Sequence, residues 1–181
     1  MASERNLSVK PYINLREKLA QNFAAHPQVG LYLRRHTAVI DKFVKDCAAF
    51  AKVPTTCAIA ALGGYGRREM FPYSDIDLAV LTPEDISEAD QTAIAEFVTA
   101  LWSLGLTVGT NVRTKAETLK ITASDITAAT AFLEARSTAT RLSLRTLTRP
   151  FFVGSTVACS FAAKCSKCGN VIRNTATPPM H

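Results

Sequence analysis

Two short apolar runs, separated by a glycine-rich turn and a pair of aspartates, place the strongest constraint on how this chain folds. The first run covers residues 57–62 and ends at Gly63 and Gly64. The second, IDLAVL, covers residues 76–81 and ends before a Thr-Pro pair. Short apolar runs bounded by turn residues are typical of buried strands. The segment therefore predicts two strands that lie inside a domain.

Helical patterns precede and follow these strands, because apolar residues recur there every three or four positions. Ser87 is a predicted N-cap and Gly105 a predicted C-cap of the helix after the second strand. The order of elements predicts a small α/β domain with helices at its N-terminus. The predicted helices cover residues 15–25, 31–52, 87–105 and 125–136, a helical turn covers 65–71, and a third strand covers 106–112.

The net charge of +6 does not make the domain a nucleic-acid binder, because the basic excess lies in the last quarter of the chain. All 15 acidic residues lie at or before Glu134, whereas residues 135–181 hold seven Lys and Arg residues and no acid. A nucleic-acid-binding tail is an alternative, but its basic residues are sparse. We expect no nucleic acid partner.

The sequence also predicts where the chain resides. It contains no stretch of about 18 apolar residues that would cross a membrane, and its first residues lack the apolar core of a secretory signal. Five cysteines without an export signal are typical of reduced thiols. We expect a cytoplasmic protein with no membrane partner.

The aspartates and the glycines are residue types suited to binding a metal ion and the phosphates of a nucleotide. Asp75 and Asp77 are two residues apart at the start of a predicted strand, so both side chains point to one face. Two adjacent carboxylates repel each other unless a cation lies between them, and Mg²⁺ prefers such oxygens together with phosphate oxygens. Gly63 and Gly64 let backbone N–H groups approach a polyphosphate. Alone, either element has an ordinary explanation as a strand end or a turn; together they indicate nucleotidyl transfer.

The spacing resembles a known signature. Leu62-Gly63-Gly64, ten further residues and then Asp75-Ile76-Asp77 is similar to the signature of the DNA polymerase β-type nucleotidyltransferase superfamily. The longer string GGYGRREMFPYSDIDL resembles the N-terminal domain of the bacterial protein-PII uridylyltransferases more closely still, and the resemblance extends through residues 101–114 and 124–136. It implies the small mixed sheet of that superfamily.

The resemblance also implies an activity. Gly63 and Gly64 would hold the triphosphate of UTP, and Asp75 and Asp77 would ligate Mg²⁺. A tyrosine hydroxyl of the signalling protein PII would attack the α-phosphorus and release pyrophosphate. Arg67 would contact a phosphate or, as the alternative, pair with Glu69, and Ser74 would orient the carboxylates or form a plain turn.

Two parts of the family pattern are not found. The predicted third strand has no acid to serve as a third carboxylate, and Thr110-Asn111 replaces a typical His-Ser pair. Glu117 and Asp125 are near in sequence, with nothing to place them in the site. No His-Asp pair is present for a uridylyl-removing centre, so the chain resembles a fragment of the transferase half. The alternatives are an inactive remnant that still binds nucleotide, or a stand-alone nucleotidyltransferase with another acceptor.

The sequence divides into three predicted regions: an N-terminal helical region over residues 1–56, the transferase core over 57–136 and an atypical tail over 137–181. In the tail the resemblance and the acidic residues end together, which favours a disordered or out-of-frame product. The competing hypothesis is a zinc site, whose Cys-x-x-Cys pair lacks a second matching pair. Its ligands would be Cys159, Cys165, Cys168 and His181.

Overall fold

The computed structural model describes residues 7–139 of the 181-residue chain. Within that range helices and strands follow each other with short connections. In chain order they are α1 (Lys10–Ala25), α2 (Val29–Phe50), β1 (Ala58–Ala61), the single turn α3 (Gly63–Gly66), β2 (Ile76–Thr82), α4 (Glu88–Trp102), β3 (Val108–Thr114), α5 (Lys115–Ser124), α6 (Ile126–Leu133) and β4 (Arg136–Ser137).

The four strands form one mixed sheet in the order β3-β2-β1-β4. Strand β1 is antiparallel to both of its neighbours, β2 and β4. Strand β2 is parallel to β3, with Asp77 opposite Gly109 and Ala79 opposite Asn111. A parallel pair needs a long crossover, and α4 supplies it between the two strands. This is the small mixed sheet that the sequence predicted.

The two faces of the sheet are packed differently. The larger core joins one face to α1, α2 and α4, with Ile76, Leu78 and Val80 of β2 fully buried in it. Because side chains alternate along a strand, Asp77 shares the opposite face with Ala79 and Leu81. The smaller core on that face consists of Ala58, Ala60, Leu62, Ala79, Leu81 and Phe132. Asp77 therefore lies at the exposed end of a strand whose other residues are buried.

Several predicted elements are confirmed and others are corrected. Helices α2 and α4 and strands β1 and β2 lie within three residues of their predicted bounds, and the Ser87 hydroxyl accepts the predicted N-cap bond from the backbone of Asp90. Helix α1 begins at Lys10, five residues earlier than predicted, the predicted turn over 65–71 lies at Gly63–Gly66, and the C-cap of α4 is Ser103 in place of Gly105. The predicted helix over 125–136 is wrong at its end: α6 stops at Leu133, and Arg136 begins strand β4. Helix α5 was not predicted, and β3 begins and ends two residues later than expected.

Other predictions concern the ends of the chain and its surroundings. Residues 140–181, which include most of the predicted tail and all four proposed zinc ligands, lie outside the described residues. Strand β4 crosses the predicted boundary between residues 136 and 137. No helix between residues 7 and 139 has the length and apolar character needed to cross a membrane.

Candidate active site

The glycine turn is held between strands β1 and β2. The backbone N–H of Leu62, just after β1, donates to the carbonyl oxygen of Asp77 at 2.9 Å. The chain then turns at Gly63, whose φ of +52° lies in the left-handed region that favours glycine. The N–H of Gly66 donates to the carbonyl oxygen of Leu62 at 2.9 Å, which closes the turn. The turn is thereby placed beside the start of β2.

The two aspartates lie where β2 begins. Asp75 directly precedes the strand and Asp77 is its second residue, while Ile76 between them is fully buried. Both aspartates are exposed. The prediction that the pair shares a face is consistent with this alternation. A buried apolar residue thus anchors two carboxylates at the surface.

The Asp77 carboxylate lies between two glycines. A Cβ atom added at Gly63 would be 3.7 Å from its Oδ2, and one added at Gly109 would be 2.8 Å from its Oδ1. Gly109 is the residue opposite Asp77 in the parallel pair. The absence of a side chain at Gly109 therefore leaves the space that this carboxylate occupies.

The electrostatics of the pair fit a cation. Although Asp77 is exposed, partial desolvation of its carboxylate raises its pKa, and the neighbouring Asp75 charge raises it further. A cation that binds both carboxylates would offset this repulsion. Within residues 7–139 no cluster of three or more His, Cys, Asp or Glu side chains is suited to a metal. Two carboxylates suffice for Mg²⁺ when substrate phosphates supply further oxygens, so the donor set fits a substrate-bridged Mg²⁺.

The candidate third carboxylates have other roles. The Glu117 side chain accepts from the backbone N–H of Thr114 at 2.9 Å in a capping box at the start of α5. The Asp125 side chain accepts from the backbone of Thr127 at 2.8 Å and caps α6. Both carboxylates serve as helix caps, so neither joins the Asp75–Asp77 pair.

The structure favours the structural alternative for Arg67 and Ser74. The Arg67 Nε donates to Glu69 at 2.8 Å, and its Nη1 pairs with Glu134. These pairings raise the pKa of Arg67, whose side chain is exposed. The Ser74 hydroxyl accepts from the backbone N–H of Phe71 at 3.2 Å, which forms a turn before the aspartates.

The loop that leads to the aspartates is tied to the N-terminal helices. The Arg16 Nε donates to His36 Nε2 at 3.2 Å, so His36 Nδ1 carries the proton and donates to the carbonyl oxygen of Met70 at 2.9 Å. Burial lowers the pKa of His36, which keeps the ring neutral. Arg16 also donates to the carbonyl oxygen of Pro72 at 3.0 Å. Helices α1 and α2 therefore fix the path of the chain into Asp75.

Comparison with known proteins finds a family that this part of the chain resembles. Residues 40–127 match the family model of the nucleotidyltransferase domain, and this range contains the glycine turn, both aspartates and Gly109. This part of the chain is a nucleotidyltransferase domain.

The curated relatives are bifunctional uridylyltransferase/uridylyl-removing enzymes. The relative from Bordetella parapertussis is 39% identical over 114 residues, which is 63% of this chain and 13% of the relative. The relatives from Thiobacillus denitrificans and Nitrosospira multiformis are both 36% identical, over 72% and 73% of this chain and 16% and 17% of theirs. The chain thus corresponds to less than a fifth of the length of these enzymes.

Sequence reasoning missed three residues of the nucleotidyltransferase domain and its border. The sequence predicts a strand around Gly109 and no role for the glycine itself, although strand-helix-strand order implies a parallel pairing that brings a neighbour to Asp77. Asp41 and Arg136 form an ion pair behind the glycine turn. No local pattern connects two residues 95 positions apart.

Proposed function

We propose that this chain transfers UMP from UTP to a tyrosine hydroxyl of a PII-type signalling protein, with Mg²⁺ as cofactor. The observation that carries the proposal is the Asp77 carboxylate, which lies beside Asp75 and between Gly63 and Gly109. Nucleotidyl transfer needs a cation site next to a turn that admits phosphates, and this arrangement is suited to both.

Each of these residues would have its own role in the reaction. Asp75 and Asp77 would hold Mg²⁺, and the backbone of Gly63 and Gly64 would lie against the triphosphate without intervening side chains. The bound cation would neutralise phosphate charge and polarise the α-phosphoryl group. A bond forms between the tyrosine oxygen and the α-phosphorus, the bond to the β-phosphate breaks, and pyrophosphate leaves while the hydroxyl proton passes to solvent. Positioning supplies much of the rate.

The identity of nucleotide and acceptor rests on similarity. The relatives' names specify uridylyl transfer, and the string around the aspartates resembles the PII-modifying family. A remnant that binds nucleotide without turnover is the second candidate, because no third carboxylate joins the Asp75–Asp77 pair within residues 7–139. A transferase with another acceptor is the third, and one experiment separates all of them.

The test uses the full chain, PII and UTP labelled at the α-phosphate. We expect label on PII with Mg²⁺ and none with a chelator. Asp75→Asn and Asp77→Asn should lose transfer and keep the fold, because each removes a charge from the exposed pair. Asp85→Asn, in the exposed loop between β2 and α4, is the matched control and should transfer normally.

The other outcomes decide between the candidates. Undiminished labelling by both Asp75→Asn and Asp77→Asn would place the metal site elsewhere. When a cell extract is added, label on another protein but not on PII would indicate a different acceptor. Equilibrium binding of UTP with Mg²⁺ but no transfer would support the remnant, and stronger labelling by ATP, CTP or GTP would refute the preference for UTP.

A further inference from the structure

The ion pair behind the glycine turn is well formed and largely shielded. Two nitrogens of the Arg136 guanidinium donate to the two carboxylate oxygens of Asp41, each at 2.9 Å. Both side chains are 18% exposed, in contrast with the surface pair of Lys42 and Asp46. A bidentate pair of this kind fixes the orientation of a guanidinium as well as its position.

The same guanidinium also reaches the glycine turn. Its Nε donates to the carbonyl oxygen of Gly66, and its Nη2 donates to that of Tyr65, both at 3.3 Å. The guanidinium carbon lies 5.4 Å from the centre of the buried Tyr65 ring. Arg136 therefore contacts the turn through two carbonyl oxygens and an aromatic face.

The backbone before Arg136 packs directly on the turn. A Cβ atom added at Gly66 would overlap the carbonyl oxygen of Glu134 and lie 3.0 Å from that of Ala61. Two parts of the chain therefore pack against the turn from the side of Gly66. One is helix α2, through Asp41, and the other is the segment between α6 and β4.

We propose that Arg136, oriented by Asp41, is a positioning residue that holds the turn over Gly63–Gly66 in the shape that receives the triphosphate. The inference rests on the proposed function, because it assigns the turn to phosphate binding. Three of the four residues in α3 are glycines, which gain more backbone freedom than other residues when they are released. A turn that is ordered before binding avoids that entropic cost when the ligand arrives.

The hydrogen bonds from Arg136 to the two carbonyl oxygens also restrict rotation of the peptide units in the turn. If the peptide unit after Tyr65 or the one after Gly66 rotated, its N–H group would lose its hydrogen bond to the carbonyl oxygen of Leu62 or Gly63, and the turn would open. Donation from Arg136 to the carbonyl oxygens of Tyr65 and Gly66 opposes that rotation. Lysine at this position would keep the charge, but it lacks the planar fork that serves Asp41 and the turn together.

The test compares Arg136→Lys with the parent, using the full chain. The matched control is Arg34→Lys, at an exposed position of α2. Binding of UTP with Mg²⁺ is measured well below the unfolding midpoint, and amide exchange is measured at Gly66 and Arg67. We expect the Kd to rise about tenfold in Arg136→Lys. The two amides should exchange about tenfold faster, since their partners lie within the turn.

A purely structural ion pair predicts a different result. In that case Arg136→Lys lowers the unfolding midpoint but leaves the Kd and the exchange of the turn unchanged, and the proposal is overturned. The exchanged pair Asp41→Arg with Arg136→Asp adds a second test. It restores opposite charges, but a carboxylate at position 136 cannot donate to the turn, so stability should recover while UTP binding stays weak. Recovery of both would also overturn the proposal.

The remaining outcomes are distinguishable. If Arg136→Lys fails to fold, Asp41→Asn keeps the donors to the turn while it loosens the guanidinium, and a smaller rise in Kd is expected. If the parent chain binds no UTP, the proposed function fails. The amide exchange at Gly66 then still decides whether Arg136 holds the turn, and unchanged exchange refutes that as well.

Discussion

Gly109→Ala should impair the reaction while leaving the fold almost intact. The added Cβ would lie 2.8 Å from Asp77 Oδ1, whereas ordinary contacts begin at 3.4 Å. The carboxylate must therefore move by about 0.6 Å, and this is cheap for the fold because an exposed side chain can rotate away. An off-rotamer side chain costs about 0.5–1.5 kcal/mol. Alanine in place of glycine inside a strand recovers about 0.5–1 kcal/mol.

The same movement is costly for catalysis. A misplacement of about 1 Å can lower the rate on the order of 100-fold, so a shift near half that size should lower kcat/KM about tenfold. The assay is transfer of label from UTP, run beside thermal unfolding of the same sample. Gly30→Ala on α2 is the control, because its Cβ would meet Arg34 at an ordinary 3.8 Å.

Two results would refute this reasoning about Gly109. Full activity in Gly109→Ala would show that the carboxylate of Asp77 does not need its present position. A large loss of stability, beyond about 2 kcal/mol, would show that the strand rather than the carboxylate yields to the new methyl group. Loss of transfer with an unchanged unfolding midpoint is the expected outcome.

Three further predictions concern stability and reactivity. In urea denaturation, Gly66→Ala should lower the free energy of unfolding by about 2 kcal/mol or more, because its added Cβ would overlap a backbone carbonyl oxygen. Gly64→Ala is the control: its added Cβ would lie 3.7 Å from the nearest atom, so the free energy of unfolding should change by less than about 1 kcal/mol. Without metal at about pH 7, Asp75→Asn should raise the unfolding midpoint, since burial and then the Asp75 charge raise the pKa of Asp77. That gain should fade as the pH falls through the raised pKa and Asp77 takes up a proton; a gain that persists in acid would contradict the cause. Burial raises the pKa of the Cys47 thiol to about 12, so peptide mapping should find it unalkylated by iodoacetamide at about pH 8 until urea unfolds the chain.

Sequence patterns predicted the helices and strands whose formation depends on residues close together in the chain. The apolar periodicity of α2 and the short apolar runs of β1 and β2 depend on neighbouring residues, and the structure confirms all three. Helix α5 has no clear apolar stripe, but Thr114 and Glu117 form the capping box that Thr-x-x-Glu would have predicted. Strand β4 has two residues, too few for any periodicity, and forms because β1 offers it an unpaired edge.

The residue opposite Asp77 in the sheet, Gly109, cannot be predicted from local sequence patterns alone. Strand-helix-strand order makes a parallel pair of β2 and β3 predictable, since a helical crossover returns the chain in the same direction. The register is not predictable from β3 alone, because its apolar residues do not fix which face is buried. A slip of one residue would place Val108 or Thr110 opposite Asp77 in place of Gly109. Either branched side chain would fill the space beside the carboxylate, so the cation site depends on a register that is set by packing across the whole sheet.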